Sequence, residues 1–93
     1  MSAPEPLTIL VVESQATMRA QLRAMLASIG LESVQFAPSA NIAVRRLRER
    51  RYDLILCEYH LGEGQDGQHL LEDLRQHEII PLETLFVMIS SEM

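Results

Sequence analysis

Short aliphatic runs that alternate with helical stretches set the strongest constraint on the fold of this 93-residue chain. Residues 7–12, 53–57 and 84–90 have the length and composition of buried strands, and residues 34–36 form a shorter strand. Helical periodicity fills the three intervals between them, which are long enough for crossover connections. The order βαβαβαβ therefore predicts an α/β fold with a doubly wound parallel sheet of the flavodoxin-like type.

Each predicted helix combines an apolar stripe with a start or stop signal. Ser14 is expected to cap the first helix and Gly30 to end it, while Ser39 starts the second. The stripe of the first helix is Met18, Leu22, Met25, Leu26 and Ile29. Those of the later helices are Ala40, Ala43, Val44 and Leu47, and then Leu70, Leu71 and Leu74. We expect all three stripes to be core.

Composition and charge exclude several classes of protein. The net charge of −5 disfavours nucleic acid and anionic membranes as partners. The single cysteine, Cys57, supports neither a disulfide framework nor a cysteine metal site, and we interpret it as a small core residue of a reduced, cytoplasmic protein. No signal peptide or membrane-spanning run is present in the sequence. Residues 1–6 are expected to form a loose leader, and residues 7–93 one domain.

Polar residues resume where the predicted strands end. Glu13 and Ser14 follow the first strand, Glu58 follows the third, and Ser90 and Ser91 follow the fourth. Ligands of open parallel sheets bind at the carboxyl ends of the strands, so these residues form the candidate site. Two carboxylates at neighbouring strand ends repel each other, which indicates a functional use.

These residues carry a resemblance to a known family. The stretches ILVVES–ATMR, YDLILCEYHLGEGQDG, LLEDLR and FVMISSE resemble the CheY-like receiver domain of two-component response regulators. The resemblance implies a metal-binding acid pair at Glu13 and Ser14, and the position of the phosphoacceptor aspartate at Glu58. It further implies the hydroxyl switch at Ser90, the small residue beside it at Ser91, and a metal-binding backbone carbonyl at His60.

Departures from the family's pattern shape the expected function. Glu58 replaces aspartate, Ser14 replaces an acid, and the lysine of the family is absent because all eight basic residues are arginine. We expect a receiver-like signalling module that needs no phosphorylation, is not an enzyme and requires no cofactor, with at most weak Mg²⁺ binding at Glu13, Glu58 and His60. The alternatives are an inert docking or oligomerisation scaffold with a decayed pocket, and a nucleotide-binding flavodoxin-like domain, although no phosphate-binding glycine motif is present.

The sequence stops after the fourth predicted strand, whereas the family continues with a fifth strand and two helices. We therefore expect an uncovered face of the sheet, closed by a second copy of the chain in a homo-oligomer. The other expected partner is a signalling protein, either a kinase or an output domain. Five arginines within residues 45–51 are interpreted as a solvated helix face, with a nucleic-acid patch as the alternative.

Overall fold

Nine secondary-structure elements make up the parts of the chain that the computed structural model describes, residues 6–62 and 64–90. In chain order they are β1 (Ile9–Val12), α1 (Ala16–Ser28), β2 (Val34–Ala37), α2 (Ala40–Glu49), β3 (Leu54–Glu58), β4 (His60–Gly62), β5 (Gln65–Asp66), α3 (Gly67–Gln76) and β6 (Leu85–Ile89). Strands β2, β1, β3 and β6 form one sheet in that order, with every pair parallel. The predicted α/β fold with a parallel sheet is thus confirmed. Most of the predicted leader lies outside the described residues.

The helix termini follow local chemistry, with one correction. The Ser39 hydroxyl accepts a hydrogen bond from the Ile42 amide at 3.3 Å, as expected of an N-cap. Gly30 adopts φ 87° after α1, where a left-handed residue lets the last carbonyls of the helix be bonded. The prediction that Ser14 caps α1 is wrong, because the N-cap residue is Gln15, whose own side chain forms no capping hydrogen bond.

The core lies between the sheet and helices α2 and α3. Leu10 and Val12 of β1 and Ile55 and Cys57 of β3 point to this side. They meet the buried helical residues Ala43, Leu47, Leu70 and Leu74. Because successive side chains of a strand point to opposite faces, the alternate residues of the same strands face away from α2 and α3. The predicted stripes of α2 and α3 are confirmed as core.

Helix α1 covers the opposite face of the sheet only in part. It lies over β2, where the Arg23 guanidinium sits 4.5 Å from the centroid of the Phe36 ring. The prediction that the α1 stripe is core is wrong for Met25 and Ile29, which are 64% and 71% exposed. The other three residues of the stripe, Met18, Leu22 and Leu26, are half-buried, and no residue of α1 is fully buried. On the β6 side of the same face, Leu85 is 65% exposed. Right-handed crossovers place α1 alone on this face, so no second helix of the described chain packs beside it.

A small antiparallel hairpin lies between β3 and α3, in the glycine-rich stretch LGEGQDG. Strands β4 and β5 pair His60 with Asp66 and Gly62 with Gln65. Gly62 and Gly64 adopt φ of 83° and 75°, so the chain reverses direction through the left-handed backbone region that glycine favours. The hairpin ends at Asp66, whose carboxylate accepts from the His69 amide at 2.8 Å and caps α3.

Candidate functional site

Glu13 and Glu58 lie side by side at the carboxyl edge of the sheet. Val12 of β1 pairs with Cys57 of β3, and Glu13 and Glu58 directly follow these two residues. Both are buried, with 1% of Glu13 and 7% of Glu58 exposed. Charged residues are rarely buried to this extent without an interaction partner. The structure therefore brings together the two carboxylates that the sequence placed at this edge.

The two carboxylate oxygens of Glu13 differ in their hydrogen bonding. Oε2 accepts a hydrogen bond from the Gln15 amide at 3.0 Å, at the start of α1. Oε1 is buried and has no hydrogen-bond partner among the described residues. Arg19 donates from Nη1 to the Glu13 backbone carbonyl at 2.8 Å, which brings a guanidinium to this edge of the sheet. One oxygen of Glu13 is thus used by the fold, and the other remains available.

The pKa of the Cys57 thiol is raised by burial and by the carboxylates around the site. Burial, and then the negative charges of Glu58, Glu13 and Asp66 in that order, together raise the pKa of Cys57 to about 12. Its sulfur donates to the Glu58 backbone carbonyl at 3.3 Å. A thiol in this state stays protonated at neutral pH and is a poor nucleophile. Cys57 is accordingly a core residue beside an acidic site.

The remaining predicted site residues lie around this buried pair. Glu58 pairs with Ile89 of β6, so Ser90 follows directly at the neighbouring strand end, where it is exposed. Ser14 and His60 are exposed too, and the His60 ring contacts Tyr59 edge-on at 4.9 Å between centroids. Ser91 lies outside the described residues. The structure hence joins Glu13, Glu58 and Ser90 at one edge and leaves the Ser14 side chain in solvent.

Gly67 holds the site in place, and sequence reasoning missed it. A Cβ atom at this position would lie 3.0 Å from the Glu58 carbonyl oxygen, 3.2 Å from Cys57 Sγ and 3.3 Å from Met88 Cγ. Its amide donates to the Tyr59 carbonyl at 2.7 Å, which ties the start of α3 to the end of β3. Its position directly after the helix-capping Asp66 was the signal available in the sequence. Arg19, six residues after Glu13, was missed as well.

Comparison with known proteins decides the family. A family model of the response regulator receiver domain matches residues 9–93. The chain belongs to the response regulator receiver family. This receiver domain is accordingly a module of two-component signalling, and its strand-end residues occupy the edge at which the resemblance places the phosphorylation site.

Solved receiver structures share the fold. The MaeR response regulator bound to beryllium trifluoride has a TM-score of 0.79 at 23% identity, over 94% of this chain and 69% of that one. The receiver domain of an HD domain-containing protein from Pseudomonas fluorescens Pf-5 gives 0.78 at 27%, over 95% and 66%. A receiver protein from Pseudomonas putida gives 0.81 at 21%, over 98% and 73%. A search of the curated proteins found no match. No helix in residues 6–62 and 64–90 of this receiver is long and apolar enough to cross a membrane.

The magnesium ion that the resemblance implies does not fit the donors of this receiver well. Mg²⁺ favours oxygen ligands in an octahedron and is usually held by one or two carboxylates together with water. Within the described stretches, no group of three or more His, Cys, Asp and Glu side chains is placed to hold a metal ion. The second acid of the family's pair is the neutral, exposed Ser14. The prediction of weak binding at Glu13, Glu58 and the His60 carbonyl stays a prediction.

Proposed function

We propose that this receiver signals without phosphorylation, with the Glu58 carboxylate standing permanently where other receivers carry a transferable phosphoryl group. The observation that carries the proposal is the burial of Glu58 at the end of β3, beside Glu13 and next to the strand that leads to Ser90. We propose that this carboxylate is ionised and so places a negative charge at the switch position. The domain then occupies one signalling state.

The length of the Glu58 side chain and the charges around it oppose efficient phosphoryl transfer to this residue. The additional methylene moves the acceptor oxygen by about 1.5 Å relative to aspartate. A misplacement of about 1 Å can lower a rate roughly a hundredfold. Phosphoryl transfer also depends on neutralising charge on the transferred group, and the chain has no lysine and only one acid at the end of β1. The guanidinium of Arg19 is engaged with the Glu13 carbonyl.

Glu58 imitates a phosphoryl group only in part. A phosphoryl group brings a charge of about −1.5 to −2 and three acceptor oxygens, whereas a carboxylate brings one charge and two oxygens. Glu58 should therefore favour one signalling state of the domain permanently, but less strongly than a phosphoryl group would. The partners we propose are a kinase or an output domain, recognised through protein–protein contact in the cytoplasm. We propose no catalytic activity, no nucleic-acid partner and no required Mg²⁺.

Amide NMR spectra of the native chain, Glu58→Gln and Ser90→Ala test this bias without a known partner. If Glu58 holds the switch, removing its charge or removing the Ser90 hydroxyl perturbs a shared set of amides that extends beyond the contacts of either residue, into β6 and the β4–β5 hairpin. Glu83→Gln is the matched control, because Glu83 is an exposed glutamate before β6, at the opposite end of the sheet. Perturbations confined to the neighbours of each substituted residue favour the alternative, an inert scaffold with a decayed pocket.

We further propose that a second copy of the chain covers the open part of the α1 face. Leu54 and Leu56 of β3 pair with Leu85 and Val87 of β6, so these four side chains share the face opposite the core. Leu85 and Val87 are exposed, and β6 is an edge strand of the described sheet. Exposed apolar side chains that share one face form a surface that the same surface of a second copy can bury. Sedimentation of the native chain as a dimer that Val87→Lys dissociates is the expected result, and a monomer at all concentrations contradicts the proposal.

A further inference from the structure

An arginine-lined cleft lies at the end of the fold opposite the acidic site. It has a volume of about 900 Å³ and runs between the carboxyl-terminal ends of α2 and α3. Arg48, Arg50 and Arg51 line one side, and Arg75 lines the other. The fold thus brings the arginine run of residues 45–51 together with a turn about thirty residues later in the sequence, residues 77–82.

The charges of this cleft are not neutralised within the described chain. Its lining includes four arginines and two glutamates, Glu49 and Glu78, so its formal charge is +2 in a chain whose net charge is −5. None of the four arginines forms an ion pair with a described carboxylate. Arg50 instead lies over the Tyr52 ring, 5.1 Å from its centroid. Helix dipoles favour Arg48 and Arg75 in their last turns, but Arg51 lies beyond the end of α2.

Apolar side chains complete the cleft. Leu47 and Ile80 are buried at its base, and Pro81 and Leu82 belong to the same lining. Leu82 is 89% exposed, although it has a large aliphatic side chain. An exposed apolar residue within a rim of arginines matches the composition of protein interfaces, which are enriched in arginine around an apolar centre.

We propose that this cleft binds an acidic amphipathic segment of another protein, with its carboxylates on the arginines and an apolar side chain on Leu82 and Pro81. Charge complementarity identifies the partner, because none of the four arginines forms an ion pair with a carboxylate among the described residues. A nucleic acid fits less well. Among the described residues that line the cleft there is no Phe, Tyr or Trp to stack on bases, and the two glutamates of the lining repel phosphates. This surface lies away from the Glu58 site and does not depend on its charge.

Fluorescence anisotropy with a labelled synthetic peptide of glutamate, leucine and alanine tests the proposal. The same peptide with glutamine for glutamate is the first control, and a single-stranded oligothymidine is the second. We expect the native chain to bind the glutamate peptide more tightly than either control, with an affinity that falls as salt is added. Arg51→Glu and Arg75→Glu should each weaken binding about fivefold, because each removes one attraction and introduces one repulsion.

Two further variants separate a specific site from general attraction. Arg45→Glu makes the same charge change on α2 at an exposed position outside the cleft, and should leave the affinity within about twofold of native. Leu82→Ser should weaken binding about fivefold by removing its apolar contact, with no change in charge. Circular dichroism verifies that each variant is folded. Equal losses for Arg45→Glu and Arg51→Glu, equal binding of the glutamine peptide, or tighter binding of the oligothymidine would overturn the proposal.

Discussion

Replacing Gly67 by alanine tests whether the start of α3 sets the position of the acidic site. The added methyl group would meet the Glu58 carbonyl oxygen at 3.0 Å, a distance that real Cβ contacts essentially never fall below. That oxygen belongs to the backbone and cannot rotate away as a side chain would. The Gly67 amide is held by its 2.7 Å bond to the Tyr59 carbonyl, so the helix cannot retreat without losing that bond.

The expected effect of Gly67→Ala is a net loss of stability of about 1–2 kcal/mol. Overpacking at a fixed site costs about 1–3 kcal/mol. Replacing glycine by alanine also lowers the entropy of the unfolded chain, which restores about 0.4–1 kcal/mol. Urea unfolding followed by circular dichroism measures the difference. With a slope of about 1–3 kcal/mol/M, the midpoint should fall by about 1 M.

A neighbouring substitution serves as the control for Gly67→Ala. Gln68→Ala changes the next residue of α3, which is exposed, and should alter stability by less than about 0.5 kcal/mol. Equal stability of Gly67→Ala and the native chain would show that the methyl group fits without strain. Unmoved amide signals around Glu58 would show that it fits without displacing the Glu58 backbone, and either result would contradict the predicted role of Gly67.

Two other predictions concern local hydrogen bonds. Ser39→Ala should lower the free energy of unfolding by about 1 kcal/mol, measured with urea, because α2 loses its N-cap hydrogen bond. Ser14→Ala should have little effect, because the N-cap residue of α1 is Gln15 and Ser14 does not cap the helix. Equal effects of the two substitutions would contradict these capping assignments. The pKa of the Asp53 carboxyl lies below its ordinary value of 3.8 because the Thr8 amide and hydroxyl donate to it at 2.9 and 3.0 Å. Its stabilising effect should therefore be complete above pH 3.8 and be lost as the pH falls through the lower folded value, so the urea midpoints of native and Asp53→Asn should differ at neutral pH and converge in acid.

Much of the fold could be predicted because the strands and helices carry their own signals. The runs before Glu13 and Glu58 are aliphatic and of strand length, and Ser39 and Gly30 mark helix ends. The β4–β5 hairpin was not predicted, because strands of three and two residues are too short to show an alternating pattern. The exposure of Met25 and Ile29 in the α1 stripe was also missed, since helical periodicity identifies an apolar face but not what covers it.

The acidic site was easier to locate from the sequence than the residues that contact it from the helices, or than the arginine-lined cleft. Glu13 and Glu58 could be placed together because the carboxyl ends of parallel strands share one edge. Gly67 and Arg19 reach that edge from helices, through contacts that depend on the packing of α1 and α3. The cleft joins Arg51 and Leu82, whose proximity depends on the tertiary fold. Sequence patterns identify each of these segments separately but do not show that the segments lie next to each other in the fold.

Phosphorylation of the native chain is the most direct test of the account. The chain is incubated with acetyl phosphate and Mg²⁺, and its intact mass is measured beside that of Glu58→Gln treated in the same way. We expect the native chain to keep its unmodified mass, because its carboxylate is displaced and the charge of an incoming phosphoryl group is not neutralised. Stoichiometric addition of one phosphoryl group to the native chain, absent from Glu58→Gln, would show that Glu58 is an acceptor and would contradict the central claim.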